Sequence, residues 1–111
     1  MIAGRYNYTT KYELEVVAGE SFSGTDSVVY PTLGRGLARD AIARTDRAEI
    51  EAFIVPGGNF PTMSFIDEWE HTVGKPVITT NQAMLWAMIQ LLRVDRKLPG
   101  LGRLLEEMPA M

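Results

Sequence analysis

The feature that most constrains this chain is the stretch Ala52-Phe53-Ile54-Val55-Pro56-Gly57-Gly58-Asn59-Phe60-Pro61-Thr62, where an apolar run enters a Pro-Gly-Gly turn with a helical pattern directly behind it. An apolar run without alternation predicts a strand buried on both faces, because a strand with one wet face would alternate apolar and polar residues. Such strands belong to parallel sheets, and the turn then lies at the carboxyl end of the strand. In open α/β sheets ligands bind at that end, since glycines let a ligand approach the backbone and the next helix points its unpaired N–H groups toward it. The place of a site is therefore legible before its chemistry.

The chain on either side supports that frame. The first ten residues have no clean period and read as a lead-in, whereas residues 12–18 alternate and then become apolar, predicting a strand. A loop rich in Ser, Gly, Thr and Asp follows over 19–27, and Leu33, Leu37, Ala41 and Ile42 then stand at helical spacing over 33–44. After the central turn Thr62 is placed to cap a helix running to about Val73, with Met63, Ile66, Trp69 and Val73 as its apolar stripe and Gly74 as its stop. Residues 75–80 predict a short strand with Pro76 at its entry. Thr80 or Asn81 then caps the most hydrophobic helix of the chain, which Pro99-Gly100 is expected to break, and Leu101, Leu104, Leu105 and Met108 mark a last short helix.

Alternation of strands and helices is the pattern of parallel βαβ units. The expected fold is thus α/β, a small flavodoxin-like (Rossmann-like) half-domain with a short parallel sheet flanked by helices. At 111 residues the chain is expected to form a single domain over 1–111. The apolar face made by Met84, Leu85, Met88, Ile89, Leu91 and Leu92, with Trp86 near its edge, exceeds what so small a sheet covers. It reads as core or as the face of a dimer, with a second copy of the chain as its simplest cover.

Composition narrows the chemistry. A net charge of -3 presents no basic face and argues against nucleic acid as a partner. No apolar run approaches the roughly 18 residues that span a bilayer, and Met1-Ile2-Ala3-Gly4-Arg5 lacks the apolar core of a secretory signal, so no membrane association and a cytoplasmic location are expected. The chain has no cysteine, which excludes disulfides, thiolate metal sites and a thiol nucleophile from its own residues. Its single histidine, His71, falls late in a predicted helix beside Glu70 and reads as solvated helix surface.

The run from Phe53 to Met63, then Ile66-Asp67-Glu68-Trp69-Glu70, then Gly74-Lys75-Pro76-Val77-Ile78-Thr79-Thr80-Asn81-Gln82-Ala83, resembles the second half of the aspartate/glutamate racemase superfamily, in particular its maleate cis-trans isomerase and arylmalonate decarboxylase branch. The resemblance extends from about Glu51 to Arg93. It implies a protein of two similar α/β halves with the active site between them and no metal or organic cofactor. Racemases and isomerases of that family carry one cysteine in each half, and the decarboxylases keep only that of the second half. The chemistry explains the choice, because a thiolate moves a proton at carbon or adds to a double bond when nearby backbone donors lower its pKa and stabilise enolate-like charge. The second-half cysteine of the family falls at Gly57 here, so no catalytic residue is assigned.

What the resemblance leaves is a cradle for a carboxylate: the N–H groups of Gly57, Gly58 and Asn59, the Asn59 amide, and hydroxyls such as Thr62, Thr79 and Thr80. Gly57-Gly58 reads either as this cradle or as a tight strand-to-helix turn, and Asn59 either as a ligand contact or as a helix cap. Thr25, with Ser27, lies in a loop that either closes on substrate or stays solvated, and Tyr6, Tyr8, Tyr12 and Tyr30 are candidate phenols without a motif. The function expected is that of a member or remnant of the isomerase, decarboxylase and racemase group, binding a small mono- or dicarboxylic acid at the Gly57-Gly58-Asn59 turn. The alternatives are a non-catalytic structural or carboxylate-binding homo-oligomer, and a piece of a longer enzyme whose partner half completes the site.

Overall fold

The computed structural model describes residues 2–6, 14–19, 35–56 and 62–110. Strands β1 (Ile2–Tyr6) and β2 (Leu14–Gly19) lead into helix α1 (Arg35–Thr45), and then come β3 (Ala52–Val55), α2 (Ile66–Val73), β4 (Val77–Thr79), α3 (Thr80–Leu91) and α4 (Arg103–Glu107). The four strands form one sheet in the order β2-β1-β3-β4. β3 and β4 pair in parallel around α2, the expected βαβ unit, so the chain is α/β with a short parallel pair flanked by helices.

The amino-terminal half of the sheet differs from expectation. Ile2–Tyr6 is not a lead-in but an inner strand, antiparallel to both β2 and β3. Its register slips at Ala3/Gly4, and such a bulge erases the alternation by which a strand is read from sequence. β3 is also not buried on both faces, since Phe53 and Val55 are buried while Ile54 between them is exposed. Leu14 and Val16 of β2 are exposed as well, and the register places Val16 in one row with Gly4 and Ala52, two residues from Ile54. The helices cover one face of this sheet and leave apolar residues of the other in water.

The core lies on the covered face. Ala41 and Ile42 of α1, Ile50, Phe53 and Val55, Ile66 and Trp69 of α2, and Val77 of β4 form one buried cluster. Val17, Ala18, Met63, Phe65 and Val73 pack at its margin. α2 follows its expected stripe, with Ile66 and Trp69 three residues apart on the inner face. It begins later than expected, however. A turn precedes it, its cap position is Phe65 with no side-chain bond, and Thr62 contributes its carbonyl, which accepts from the N–H groups of Phe65 (2.8 Å) and Ile66 (3.2 Å). Gly74 ends α2 as expected, left-handed at φ 67 with its N–H on the Glu70 carbonyl. Lys75 ion-pairs with Asp46 and donates to the Arg47 carbonyl (2.7 Å), tying the entry of β4 to the exit of α1.

α3 is capped one residue earlier than expected, by Thr79. It also stops at Leu91, well before Pro99. Arg93 turns left-handed (φ 54), its N–H bonds the Gln90 carbonyl, and that of Val94 bonds the Ile89 carbonyl. This is the Schellman ending, with arginine where glycine is usual, so no breaker in the sequence announces it. Residues 98–109 then return along α3. Gln82 Nε2 donates to the Leu101 carbonyl (2.9 Å), while Trp86 Nε1 (2.9 Å) and Gln90 Nε2 (3.2 Å) both donate to that of Pro109.

Candidate functional site at the carboxyl edge of the parallel pair

Parallel pairing aligns Phe53 with Val77, Ile54 with Ile78 and Val55 with Thr79, so β3 and β4 end side by side. β3 ends at Val55, two residues before Gly57 in the sequence, and from Thr79 the chain enters α3. Gly57, Gly58 and Asn59 lie outside the described residues, as do Thr25, Ser27, Tyr8, Tyr12 and Tyr30. Thr62 and Thr80 are described. Thr62 is buried ahead of α2, and Thr80 is half-buried at the first position of α3.

Thr79 explains why β4 stops there and α3 starts. In extended conformation (φ -118, ψ 159), it accepts at its hydroxyl from the Gln82 N–H (3.4 Å), while Gln82 Oε1 accepts from the Thr79 N–H (3.2 Å). The sequence carries the signal for this reciprocal box as Thr79-Thr80-Asn81-Gln82, threonine followed three residues later by glutamine. The box commits the Thr79 hydroxyl to structure. It also orients the first turn of α3, which holds no acidic residue, so no carboxylate of that turn offsets the positive end of the helix dipole.

A second polar constellation, which the sequence reading did not single out, lies alongside β4 and shares Gln82 with the Thr79 box. The buried carboxylate of Glu70 accepts from the Val77 N–H at Oε2 (2.9 Å) and from the Arg103 N–H at Oε1 (2.7 Å). Burial pushes its pKa above the ordinary value, against the two N–H bonds and the Arg103 charge, which pull the other way. Gly102 packs beside it with φ +88, and a Cβ there would fall 2.5 Å from both Gln82 Nε2 and Ile66 Cγ2. Glu70, Gln82 and Gly102 thus bolt the returning chain to α2, β4 and α3. The role is structural, because every oxygen of Glu70 already serves a backbone donor. Glycine before an arginine-led helix was the signal available in sequence, and it is weak.

His71 is exposed as expected. Its Nδ1 lies 2.7 Å from the Asp67 carbonyl, and that carbonyl together with the Asp67 carboxylate raises its pKa. Among the described residues no group of three or more His, Cys, Asp or Glu side chains is placed to hold a metal, and no helix is long and apolar enough to cross a membrane. Trp69 Nε1 is fully buried and has no hydrogen-bond partner among the described residues.

No protein-family model matches the chain, and no curated protein matches it in sequence. A solved structure does. The crystal structure of an arylmalonate decarboxylase superposes on 78 % of this chain with a TM-score of 0.68 and 26 % sequence identity. The chain has an aspartate/glutamate racemase-like fold. It spans 40 % of the length of that decarboxylase.

Proposed function

We propose that this chain is a small-carboxylate-binding relative of the maleate isomerase, arylmalonate decarboxylase and racemase group, with its anion site at the carboxyl edge of β3 and β4. The observation that carries the reading is the side-by-side ending of the two parallel strands, Val55 opposite Thr79. Val55 and Pro56, which precede Gly57-Gly58-Asn59 in the sequence, thereby leave the sheet on the side where α3 begins. Backbone N–H groups and a helix dipole at one edge are the elements that favour an anion over a neutral ligand. The likeness to arylmalonate decarboxylase supports a carboxylic acid as that anion. Gly57, Gly58 and Asn59 bind the carboxylate, with Thr62, Thr80 and Thr25 as further polar contacts.

Turnover is a separate matter. With no cysteine in the chain, the thiol that moves a proton at carbon in that group has no counterpart; a phenol near 10 lies farther from neutrality than a thiol near 8.5, and the single imidazole, His71, stands exposed on α2. A second reading therefore stands, a non-catalytic binding or structural module, and the lack of cysteine favours it.

A thermal-shift titration with maleate, aspartate, glutamate and phenylmalonate tests the reading on the natural chain and on Gly57→Cys, with turnover followed by proton NMR. A ligand that binds only the folded state raises the melting temperature. The reading expects a shift with at least one acid, and turnover, if any, in the Gly57→Cys variant. No shift with any acid in either protein leaves the structural module.

A further inference from the structure

The twelve residues of α3 include no charged side chain and bury only Gln82. Met84 is 59 % exposed, Met88 55 %, Leu91 72 % and the capping Leu92 70 %, with Val94 half-exposed beyond them. At positions i, i+4, i+7 and i+8 these residues make one stripe. The helix packs chiefly against β4, from which it springs, and against α4. The returning carboxyl-terminal segment does not cover the stripe, because Gln82, Trp86 and Gln90 hold it on another side of the helix. At 100° per residue those three point well away from Met84, Met88 and Leu91. Among the described residues, an apolar stripe on the most hydrophobic helix is thus left bare by the bonds that fasten the returning segment.

We propose that this stripe pairs with the same stripe of a second copy, the two α3 helices running antiparallel across a two-fold axis at Met88. Area supports a second copy. Four large side chains at half to three-quarters exposure, with Val94, offer on the order of 500 Å² per chain, within the range of functional surface patches. Self-pairing doubles this to about 1,000 Å², where specific interfaces begin. Charge sets the direction. Arg93, Arg96 and Lys97 follow the helix directly, so parallel pairing would set two basic clusters against each other. Antiparallel pairing about Met88 sets the two Arg93 positions about 15 Å apart along the axis and places each carboxyl end, the negative pole, toward the amino-terminal half of the other helix. The pairing is self-complementary, Met84 meeting the partner's Leu92 and Met88 meeting the partner's Met88.

The test is sedimentation equilibrium and light scattering of the full chain from low to high micromolar concentration. The natural chain is expected to show twice the monomer mass at the upper end. Met88→Lys is expected to remain monomeric with an unchanged circular-dichroism spectrum, because the substituted residue is half-exposed in one chain and sits on the axis of two. Val16→Lys, on the bare sheet face, is expected to keep the dimer. Since the chain has no cysteine, single cysteines report direction. Under mild oxidation Met88→Cys is expected to form a disulfide-linked dimer, and Leu92→Cys is not, its two copies lying about 12 Å apart along the axis, beyond disulfide reach. A monomer at every concentration overturns the proposal and leaves the stripe to another segment or protein. A dimer that survives Met88→Lys, or is lost with Val16→Lys, assigns the interface to the sheet face. Cross-linking of Leu92→Cys as readily as Met88→Cys overturns the antiparallel arrangement.

Discussion

In the β3–α2–β4 unit the residues that leave water are apolar: Phe53, Val55, Ile66, Trp69 and Val77 close on one another. Around α3 the order is reversed, for Gln82, Glu70 and Gly102 are buried there while Met84, Met88, Leu91 and Leu92 stay in solvent. The first region is held by transfer of apolar area, which is non-directional and grows with each buried methylene. The second has one fully buried apolar side chain, Leu105, and a few directed bonds, of which the one from the Val77 N–H to the Glu70 carboxylate is buried. A region of the first kind tolerates change of shape better than loss of volume. One of the second kind fails when a single partner is removed, and leaves its apolar residues available for another surface.

Substitutions separate the two modes. Phe53→Ala deletes a fully buried ring and is expected to cost about 3–5 kcal/mol in urea denaturation. A loss below 1 kcal/mol would mean that the sheet core is not where the stability resides. Glu70→Ala strands the N–H groups of Val77 and Arg103 and should cost about 2–4 kcal/mol. Protease cleavage at 98–109 should rise with it, since the Arg103 bond is among those fastening that segment. Gly102→Ala places a methyl group 2.5 Å from Gln82 and Ile66 on a backbone at φ +88, for an expected loss of about 1–3 kcal/mol. Met84→Ser changes an exposed position, and denaturation of the monomer should move by less than about 0.5 kcal/mol.

The buried carboxylate adds a dependence on pH. Because burial raises the folded-state pKa of Glu70 above its ordinary value of 4.5, ionisation costs more in the folded chain than in the unfolded one. Its contribution is then present in full below 4.5 and is lost as pH rises through the raised value. Glu70→Gln should remove that slope from the stability profile. An unchanged slope in Glu70→Gln would assign it to another group.

The legible part of this fold was the part built by apolar periodicity. The central strand, the Ile66 and Trp69 stripe, the Gly74 stop and the short β4 all follow from patterns within a few residues. β1 did not, because a five-residue strand with a bulge at Gly4 is specified by β2 and β3 rather than by its own alternation. The second face of the sheet was misjudged for a related reason: a continuous apolar run looks the same whether or not something covers its outer side, and Ile54 is uncovered. The end of α3 escaped because Arg93 takes a left-handed turn usually given to glycine. Of the candidate site, the shared carboxyl edge of β3 and β4 was readable from the apolar run and the family-like string. The Thr79–Gln82 box was readable too, yet the cap was expected at Thr80 or Asn81. The Glu70 and Gly102 bolt joins residues far apart in sequence, and no local pattern encodes such a contact.

The proposed carboxylate site at the edge of β3 and β4 is tested most directly by nitrogen-15 NMR of the Met88→Lys chain, titrated with maleate and with phenylmalonate. This variant leaves the site untouched and keeps self-association from contributing shifts. The account predicts saturable movement of the Gly57, Gly58, Asn59, Thr80 and Asn81 amides, with those of Asp46 and Lys75, on the entry side of β4, unmoved. Amides that do not respond to either acid, or that respond only along α3 beyond Gln82, would contradict it.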